Sequence, residues 1–114
     1  LVQHAILAYL QKAKEGKITV ERAVEKMSHA VAECFHIDNR GYIREGYFAD
    51  LVVVDPNKPY GVEKSNILYK CGWSPFEGYT FDHSIDTTFV NGNIVYTDGK
   101  VIEGNTGSRM TFHG

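Results

Sequence analysis

The side chains with the greatest capacity for metal or acid–base chemistry are the five histidines, His4, His29, His36, His83 and His113. None of them lies in an H-x-H or H-E-x-x-H motif or in a close Cys/His cluster, the spacings that commonly hold zinc. Glu25, His29 and Glu33 recur every four residues, so a helix would present all three on one face. Because an amphipathic helix needs a polar face in any case, we interpret these three as solvated side chains and not as metal ligands.

The most unusual stretch for chemistry is residues 71–78, CGWSPFEG, which contains the chain's only tryptophan beside a cysteine and a serine. A nucleophilic role for Cys71 or Ser74 needs a base next to it, and the stretch matches neither the G-x-S-x-G elbow nor a thiol-protease signature. Aromatic side chains commonly anchor loops, so we interpret residues 71–78 as a loop pinned by Trp73 and Phe76.

Two further patterns contain the right residue types without the right arrangement. Asp82-His83-Ser84 holds the residue types of a hydrolase triad, but consecutive side chains cannot line up as nucleophile, base and orienting acid. We therefore predict a polar loop there. The glycine-rich stretches at 41–46 and 104–107 lack the Lys-Ser/Thr of a phosphate-binding loop, which disfavours phosphate binding.

An aromatic group follows Arg40 in the sequence. Tyr42, Tyr47 and Phe48 stand close to Arg40 and Arg44 and would suit an aromatic binding face. The same residues would equally suit a strand that packs on a neighbouring element. The sequence leaves both interpretations open.

Two helices are predicted to carry the N-terminal groups. Apolar residues recur at helical spacing over residues 2–13, and Gly16 is suited to end that helix. Thr19 is a good N-cap for a second helix over residues 20–34, with Glu21 placed favourably in its first turn. The first apolar face comprises Val2, Ala5, Ile6, Tyr9, Leu10 and Ala13.

Short strands are predicted to follow these helices. Residues 51–54, LVVV, are apolar at every position, which is typical of a strand buried on both faces. Asn91-Gly92 and Asp98-Gly99 are strong hairpin signals because both residues of such a turn need positive φ, and together they predict a three-stranded meander. The predicted fold class is α+β, with two N-terminal helices followed by antiparallel strands.

Length and composition limit the function classes. A (β/α)8 barrel needs about 250 residues, so the 114 residues of this chain cannot contain one. The net charge of −2, without a run of either sign, indicates no nucleic-acid or membrane-surface partner. The two cysteines, the lack of a long apolar run and the lack of an export signal favour a cytoplasmic location.

Residues 41–55, GYIREGYFADLVVVD, carry a recognisable pattern. They resemble the G-x-I-x-x-G-x-x-A-D-[LI]-V-[VL]-x-D stretch with which cyclic amidohydrolases leave their last barrel helix and enter a β-sandwich. Residues 70–78 are similar to the K-C-x-W-[ST]-P-[FY]-x-G segment of dihydroorotases and allantoinases. Residues 87–96 resemble the terminal hairpin of the same group, and residues 1–5 resemble the start of the helix after the eighth barrel strand. One departure is Val31, where the family usually has the proline of Asn-Pro-Ala, and its loss should ease helix continuation.

The resemblance implies an enzyme that hydrolyses dihydroorotate to N-carbamoyl aspartate in pyrimidine biosynthesis with one or two zinc ions. In that family a metal-bound hydroxide attacks the ring carbonyl, and an Asp on the eighth strand moves the proton. The ligands of the family, an H-x-H, a carboxylated Lys, two more His and that Asp, all correspond to positions upstream of Leu1. We therefore assign no catalytic, substrate-binding or metal-binding residue within these 114 residues.

The resemblance further implies that the chain is the C-terminal portion of a dihydroorotase, inactive alone, and Leu1 in place of an initiator Met fits a truncation or a proteolytic remnant. Residues 1–38 would be the last barrel helices and residues 39–114 part of the sandwich, with residues 66–84 crossing between them. Allantoinase, dihydropyrimidinase and a non-catalytic scaffold relative remain alternatives. The parent is expected to be a homo-oligomer, and the truncated chain is expected to expose a sheet edge and an apolar helix face and to self-associate.

Overall fold

The helical part of the molecule occupies the first third of the chain. The computed structural model describes residues 2–68, 70–104 and 107–114. A 3-10 turn, Val2–His4, leads into helix α1, Ala5–Lys14, and Gly16 follows with a φ of +79°. The left-handed conformation of Gly16 ends the helix as the sequence predicts.

The second helix extends over residues 20–34 and contains three segments. These are α2, Val20–Val24, a π turn, Glu25–His29, and α3, Ala30–Cys34. The Thr19 side chain accepts a hydrogen bond from the Arg22 N–H at 3.1 Å, which confirms the predicted N-cap and both boundaries. The π turn, in which each N–H reaches back one residue further than in an α-helix, was not predicted.

The strands form two antiparallel sheets. In chain order, β1 to β6 are Leu51–Asp55, Tyr60–Gly61, Thr80–Phe81, Ser84–Val90, Asn93–Thr97 and Lys100–Val101. The larger sheet has the order β1-β4-β5-β6, and the smaller pairs β2 with β3. A short 3-10 turn, Lys64–Asn66, lies between β2 and β3. Two helices followed by antiparallel sheets confirm the predicted α+β class.

Both predicted hairpin turns are present. Asn91 and Gly92 have φ values of +51° and +78°, and Asp98 and Gly99 have values of +50° and +77°. Positive φ at both central residues is the type I′ geometry, whose twist matches that of the flanking strands. The turns connect β4 to β5 and β5 to β6, so the predicted meander is confirmed.

The prediction that residues 51–54 are buried on both faces is wrong for this structure. Strand β1 lies at one end of the sheet order and, among the strands that the structure describes, pairs with β4 alone, which leaves the predicted unpaired edge. Val52 and Val53 are each 45% exposed. Their β-branched side chains suit a covered strand, but no element of the described chain covers them.

The hydrophobic core is small and lies between α1 and the strands. Its fully buried members are Leu7, Val62 and Phe81, with Phe76 and Ile85 among the residues packed around them. The buried face of α1 therefore passes through Leu7. No helix in the described ranges is both long and apolar enough to traverse a lipid bilayer.

The predicted apolar face of α1 is not the face that is buried most deeply. His4, Leu7 and Gln11 recur about one turn apart and are all buried against the strands, whereas Tyr9 is 41% exposed. The reason is that the polar side chains of this face form hydrogen bonds on the strand side, and these offset the free-energy cost of removing polar groups from water.

Candidate functional site

The most buried polar pair in the molecule joins the start of α1 to residues 71–78. His4 and Ser74 are 1% and 4% exposed, and His4 Nδ1 lies 3.1 Å from Ser74 Oγ. Burial lowers the pKa of His4, which favours the neutral imidazole. A neutral ring can accept the Ser74 hydroxyl hydrogen at Nδ1, while Ser74 Oγ accepts the Phe76 N–H at 3.2 Å.

This pair has the composition of a nucleophile and its base, but its position gives it another role. Acyl-transfer sites require the serine oxygen to meet a substrate carbonyl from outside. Both side chains are almost fully buried, and the Phe76 and Phe81 rings lie 6.1 and 6.5 Å from the His4 ring. The hydrogen bond therefore fixes residues 71–78 to the turn that precedes α1.

Asp82 and His83 extend the same contact along α1. The His83 Nε2–H donates to the Leu7 carbonyl at 3.1 Å. Asp82 accepts from Gln11 Nε2 at 2.8 Å and pairs with Lys14 Nζ at 3.2 Å, and its own N–H donates to Gln11 Oε1 at 3.0 Å. The Gln11 hydrogen bond and then Lys14 lower the pKa of Asp82. Asp82 and His83 therefore engage different partners. The predicted polar loop covers these two residues only, because Ser84 begins strand β4.

We call this set of contacts the helix–strand junction. It consists of His4, just before α1, of Leu7, Gln11 and Lys14 on α1, and of Ser74, Asp82 and His83 on the strand side. The donors and acceptors are separated by about 70 residues in sequence, 70 for His4 with Ser74 and 76 for Leu7 with His83. The helix–strand junction therefore holds α1 and the turn before it to the strand side of the molecule.

Trp73 does not anchor residues 71–78, which corrects the prediction. Its side chain is on the surface, 58% exposed, and its backbone carbonyl accepts from the Cys71 thiol at 3.6 Å. Phe76 is an anchor as predicted, because its ring packs 5.4 Å from that of Phe81. The second anchor is Ser74, whose buried hydroxyl bonds with His4 fix the segment without the indole. Cys71 is a free, exposed thiol.

A second polar cluster surrounds Arg40. Its guanidinium pairs with the Asp50 carboxylate, stacks 4.1 Å from the centre of the Phe48 ring and donates to Ser108 Oγ at 3.1 Å. Asp50 Oδ1 also accepts the Asn91 N–H at 2.8 Å. The charge of this nearly buried arginine is thus neutralised by Asp50, and the cluster joins three segments of the chain.

The aromatic residues that follow Arg40 pack on the second helix. Tyr42 stacks on His29 at 4.2 Å between ring centres, and the Arg44 guanidinium lies 3.9 Å from the Tyr42 ring centre. The Tyr42 hydroxyl donates to Glu33, and this hydrogen bond raises the Tyr42 pKa. These residues lie in a turn and not in a strand, along an open cleft of about 380 Å³ that Tyr47 also lines.

The three residues spaced for one helix face do not converge on a metal. Glu25 pairs with Arg22 at 2.7 Å, His29 Nδ1–H donates to the Gly41 carbonyl at 2.6 Å, and Glu33 accepts from Tyr42. Across residues 2–68, 70–104 and 107–114, no three His, Cys, Asp or Glu side chains group as a metal site would require. The described donor set therefore does not fit zinc.

Sequence reasoning missed His4, Gln11 and Arg40 as organising residues. The signal for the first two was available, because His4, Leu7 and Gln11 follow helical spacing. That spacing does not by itself predict burial, since polar residues at helical spacing ordinarily face water. Arg40 had no local signal, because its partners lie 10, 51 and 68 residues away.

Comparisons with known proteins agree with this architecture. The dihydroorotase of Pyrococcus horikoshii is 34% identical over 105 residues, which cover 92% of this chain and 25% of that protein. The allantoinase of Bacillus velezensis is 34% identical over 97 residues, covering 85% of this chain and 21% of that protein. The solved D-hydantoinase (dihydropyrimidinase) of a Thermus species superimposes with a TM-score of 0.74 at 26% identity, covering 86% of this chain and 22% of that one.

These relatives are much longer than the sequence that matches them. The chain spans about a quarter of the length of the dihydroorotases it resembles. The model of the amidohydrolase family matches residues 1–95, which include both helices, β1 and all but the end of the β4–β5 hairpin. On that match the chain belongs to the amidohydrolase family.

Proposed function

We propose that this chain is the C-terminal portion of a dihydroorotase, an enzyme that opens the cyclic amide of dihydroorotate to give N-carbamoyl aspartate. In this proposal residues 1–38 are the last helices of the barrel and residues 39–114 are part of the sandwich, with residues 66–84 crossing between them. The dihydroorotase relatives, at 34% and 37% identity, support the choice of substrate class.

The observation that carries the proposal is the apolar surface left open on both parts of the chain. The second helix exposes Val20, Val24, Val31 and Phe35, and strand β1 exposes Val52 and Val53. Ile43, in the turn between the two parts, is 88% exposed. Large apolar surfaces of this kind mark places where another part of a protein packs. The remaining three quarters of a dihydroorotase would supply that cover.

Zinc, when bound by the parent enzyme, would supply a hydroxide nucleophile and polarise the ring carbonyl. No described residue of this chain fits as its ligand, so we derive no step through the metal here. What this chain's residues contribute is position: the helix–strand junction holds α1 against residues 71–84. In the parent, α1 would follow the barrel strand that carries the catalytic carboxylate.

The proposal is tested on the intact gene product. We expect the reading frame upstream of Leu1 to encode an H-x-H motif, and the purified product to hydrolyse dihydroorotate in a zinc-dependent manner. The isolated 114-residue chain should show neither turnover nor stoichiometric zinc by metal analysis. One zinc per isolated chain, or an upstream frame without ligand motifs, would contradict the proposal.

Ser74→Ala in the intact protein separates a structural serine from a nucleophilic one. Since Ser74 is buried against His4, the substitution should lower the melting temperature and leave kcat unchanged at temperatures where the protein stays folded. A fall in kcat of about a thousandfold or more, the scale on which a lost nucleophile acts, would assign the chemistry to Ser74 instead. Lys58→Ala, at an exposed position between β1 and β2, is the control.

Allantoinase is the second candidate within the family. It is favoured by a relative of 34% identity that covers 85% of this chain, and hydantoinase structures share the fold. If the intact product hydrolyses allantoin or a dihydropyrimidine and not dihydroorotate, the protein is an allantoinase or a dihydropyrimidinase. A cytoplasmic location and a homo-oligomeric parent remain part of the proposal, and exposed free Cys34 and Cys71 support the reducing location.

A further inference from the structure

Residues 107–113 return across the chain and bind the segment that connects the second helix to the strands. Phe112 forms an antiparallel bridge with Ile37. The Asp38 N–H donates to the Thr111 carbonyl at 2.8 Å, and the His113 N–H donates to the His36 carbonyl at 3.0 Å. We call residues 107–113 the C-terminal strap.

Side chains add to these backbone bonds at both ends of the strap. His113 Nδ1 lies 2.7 Å from Asp38 Oδ1, and this hydrogen bond lowers the pKa of Asp38. At the other end, Ser108 Oγ accepts from Arg40 Nη2 at 3.1 Å and from Asn91 Nδ2 at 2.9 Å. The strap therefore touches residues 36–40, the segment that follows the second helix, and the tip of the β4–β5 hairpin at once.

The strap is held by polar contacts and not by burial. Ser108, Thr111, Phe112 and His113 are all exposed, so releasing them would uncover little apolar surface. Segments with few buried apolar contacts and solvent-exposed hydrogen bonds open with small free energies while the rest of a protein stays folded. The strap has the properties of such a locally opening segment.

The family match does not account for the strap. The amidohydrolase model ends at residue 95, whereas the strap begins twelve residues later. Its partners on the other side, residues 36–40, lie between the two parts of the chain. The strap therefore contacts the segment that joins the second helix to the strands.

We propose that the C-terminal strap is a conformational latch, which opens and closes independently of the core and, when closed, fixes residues 36–40, which follow the second helix, to the β4–β5 hairpin. The inference goes beyond the proposed function and does not rest on it, since it concerns contacts between residues of this chain alone. Closing forms the backbone bonds at residues 36–38 and the Ser108 contacts together, and opening releases both.

Amide hydrogen exchange of the chain tests the latch directly. Truncation after Gly104 should accelerate exchange of the Asp38 amide roughly tenfold, the factor that one net backbone hydrogen bond represents. The Val62 amide, which donates to the Tyr79 carbonyl at 2.8 Å in the core, should keep its protection. Ser108→Ala should accelerate Asp38 exchange by a smaller factor, because it removes one end of the strap only.

Arg109→Ala is the matched control, since Arg109 is exposed and lies within the strap, and it should leave Asp38 exchange unchanged. Asp38 protection that stays within twofold after truncation would overturn the latch. An equal loss of protection at Val62 would also overturn it, because the strap would then be part of the cooperative fold. If the truncated chain does not fold, Ser108→Ala against Arg109→Ala gives the same decision.

Discussion

Helix α1 and the second helix are held by the same chain in different ways. On α1, buried His4, Leu7 and Gln11 meet partners on the strand side, including a buried serine and a buried histidine. The second helix buries only the small residues Ala23 and Ala32, and its large apolar side chains remain exposed. It contacts α1 and the turn at residues 41–47.

The difference shows which part of the packing is complete within this chain. The face of α1 that meets the strands has its polar groups bonded and its apolar groups covered, as a finished interior does. The outer face of the second helix has exposed apolar residues at helical spacing, as an interface does before its partner is present. Substitutions on the two helices should therefore have unequal effects.

The largest effect is expected in the core beside α1. Phe81→Ala removes a fully buried ring, and losses of this kind cost about 3–5 kcal/mol. Phe35→Ala, on the exposed side of the second helix, should change the free energy of unfolding by about 0.5 kcal/mol or less. Urea denaturation of both variants measures the contrast, and similar losses in the two would remove the distinction between the helices.

The next largest effect on stability is expected where the turn at residue 41 packs against the second helix. Gly41 has a φ of +86°, and a Cβ there would lie 2.5 Å from the Ala32 Cβ and 2.9 Å from the Ser28 carbonyl oxygen. Gly41→Ala should destabilise the chain by more than the roughly 1–3 kcal/mol that left-handed backbone strain costs by itself, because the added methyl also collides with Ala32 and Ser28. Gly46→Ala is the control, because it has a similar φ of +83° but open space around the added methyl. If thermal unfolding shows equal losses of stability in the two variants, backbone strain alone accounts for the effect and the close contact with the second helix does not.

In the pH range where histidine titrates, a pH effect should arise from His4, which lies just before α1. Because burial lowers the pKa of His4 in the folded state, its contribution is fully present above the ordinary histidine pKa of about 6.5. As the pH falls below 6.5, the unfolded chain takes up a proton before the folded one, and the free energy of unfolding decreases until folded His4 is protonated too. His4→Gln should flatten this part of the stability curve; an unchanged curve would exclude His4 as its source.

The smallest effect on stability is expected at the open face of the second helix. Val24→Ser with Val31→Ser should leave the free energy of unfolding within about 0.5 kcal/mol, since both side chains are already exposed. The same pair should weaken self-association of the isolated chain, measured by light scattering at high concentration. If the unsubstituted 114-residue chain is monomeric at every concentration, the assignment of this face as an interface is contradicted.

Local signals predicted the elements of this fold well. Thr19 marks the start of the second helix because its side chain caps an amide three residues away, and Asn91-Gly92 marks a turn because both residues tolerate positive φ. Each signal acts over a few residues, so it needs no knowledge of the rest of the chain. The boundaries and the hairpins followed from such signals.

Burial could not be predicted in the same way. His4 and Gln11 are buried because Ser74 and Asp82, about 70 residues later, offer partners, and no local pattern contains that information. Trp73 has the size of an anchor, but a serine beside it occupies that role. Val52 and Val53 suit a covered strand, yet the cover is not among the described residues. Composition identifies residues that can be buried, whereas the partner decides which of them are.

The π turn at Glu25–His29 has a consequence for how this helix should be aligned with those of relatives. A single π turn accommodates one residue more than the regular α-helical path between the same two ends. A relative with a regular α-helix would therefore be one residue shorter here, with its capped start and its last turn still pointing in the same directions. In an alignment, such a relative should show a one-residue gap between positions 25 and 29. Where that gap is placed decides whether Ala30-Val31-Ala32 is compared with the right three residues.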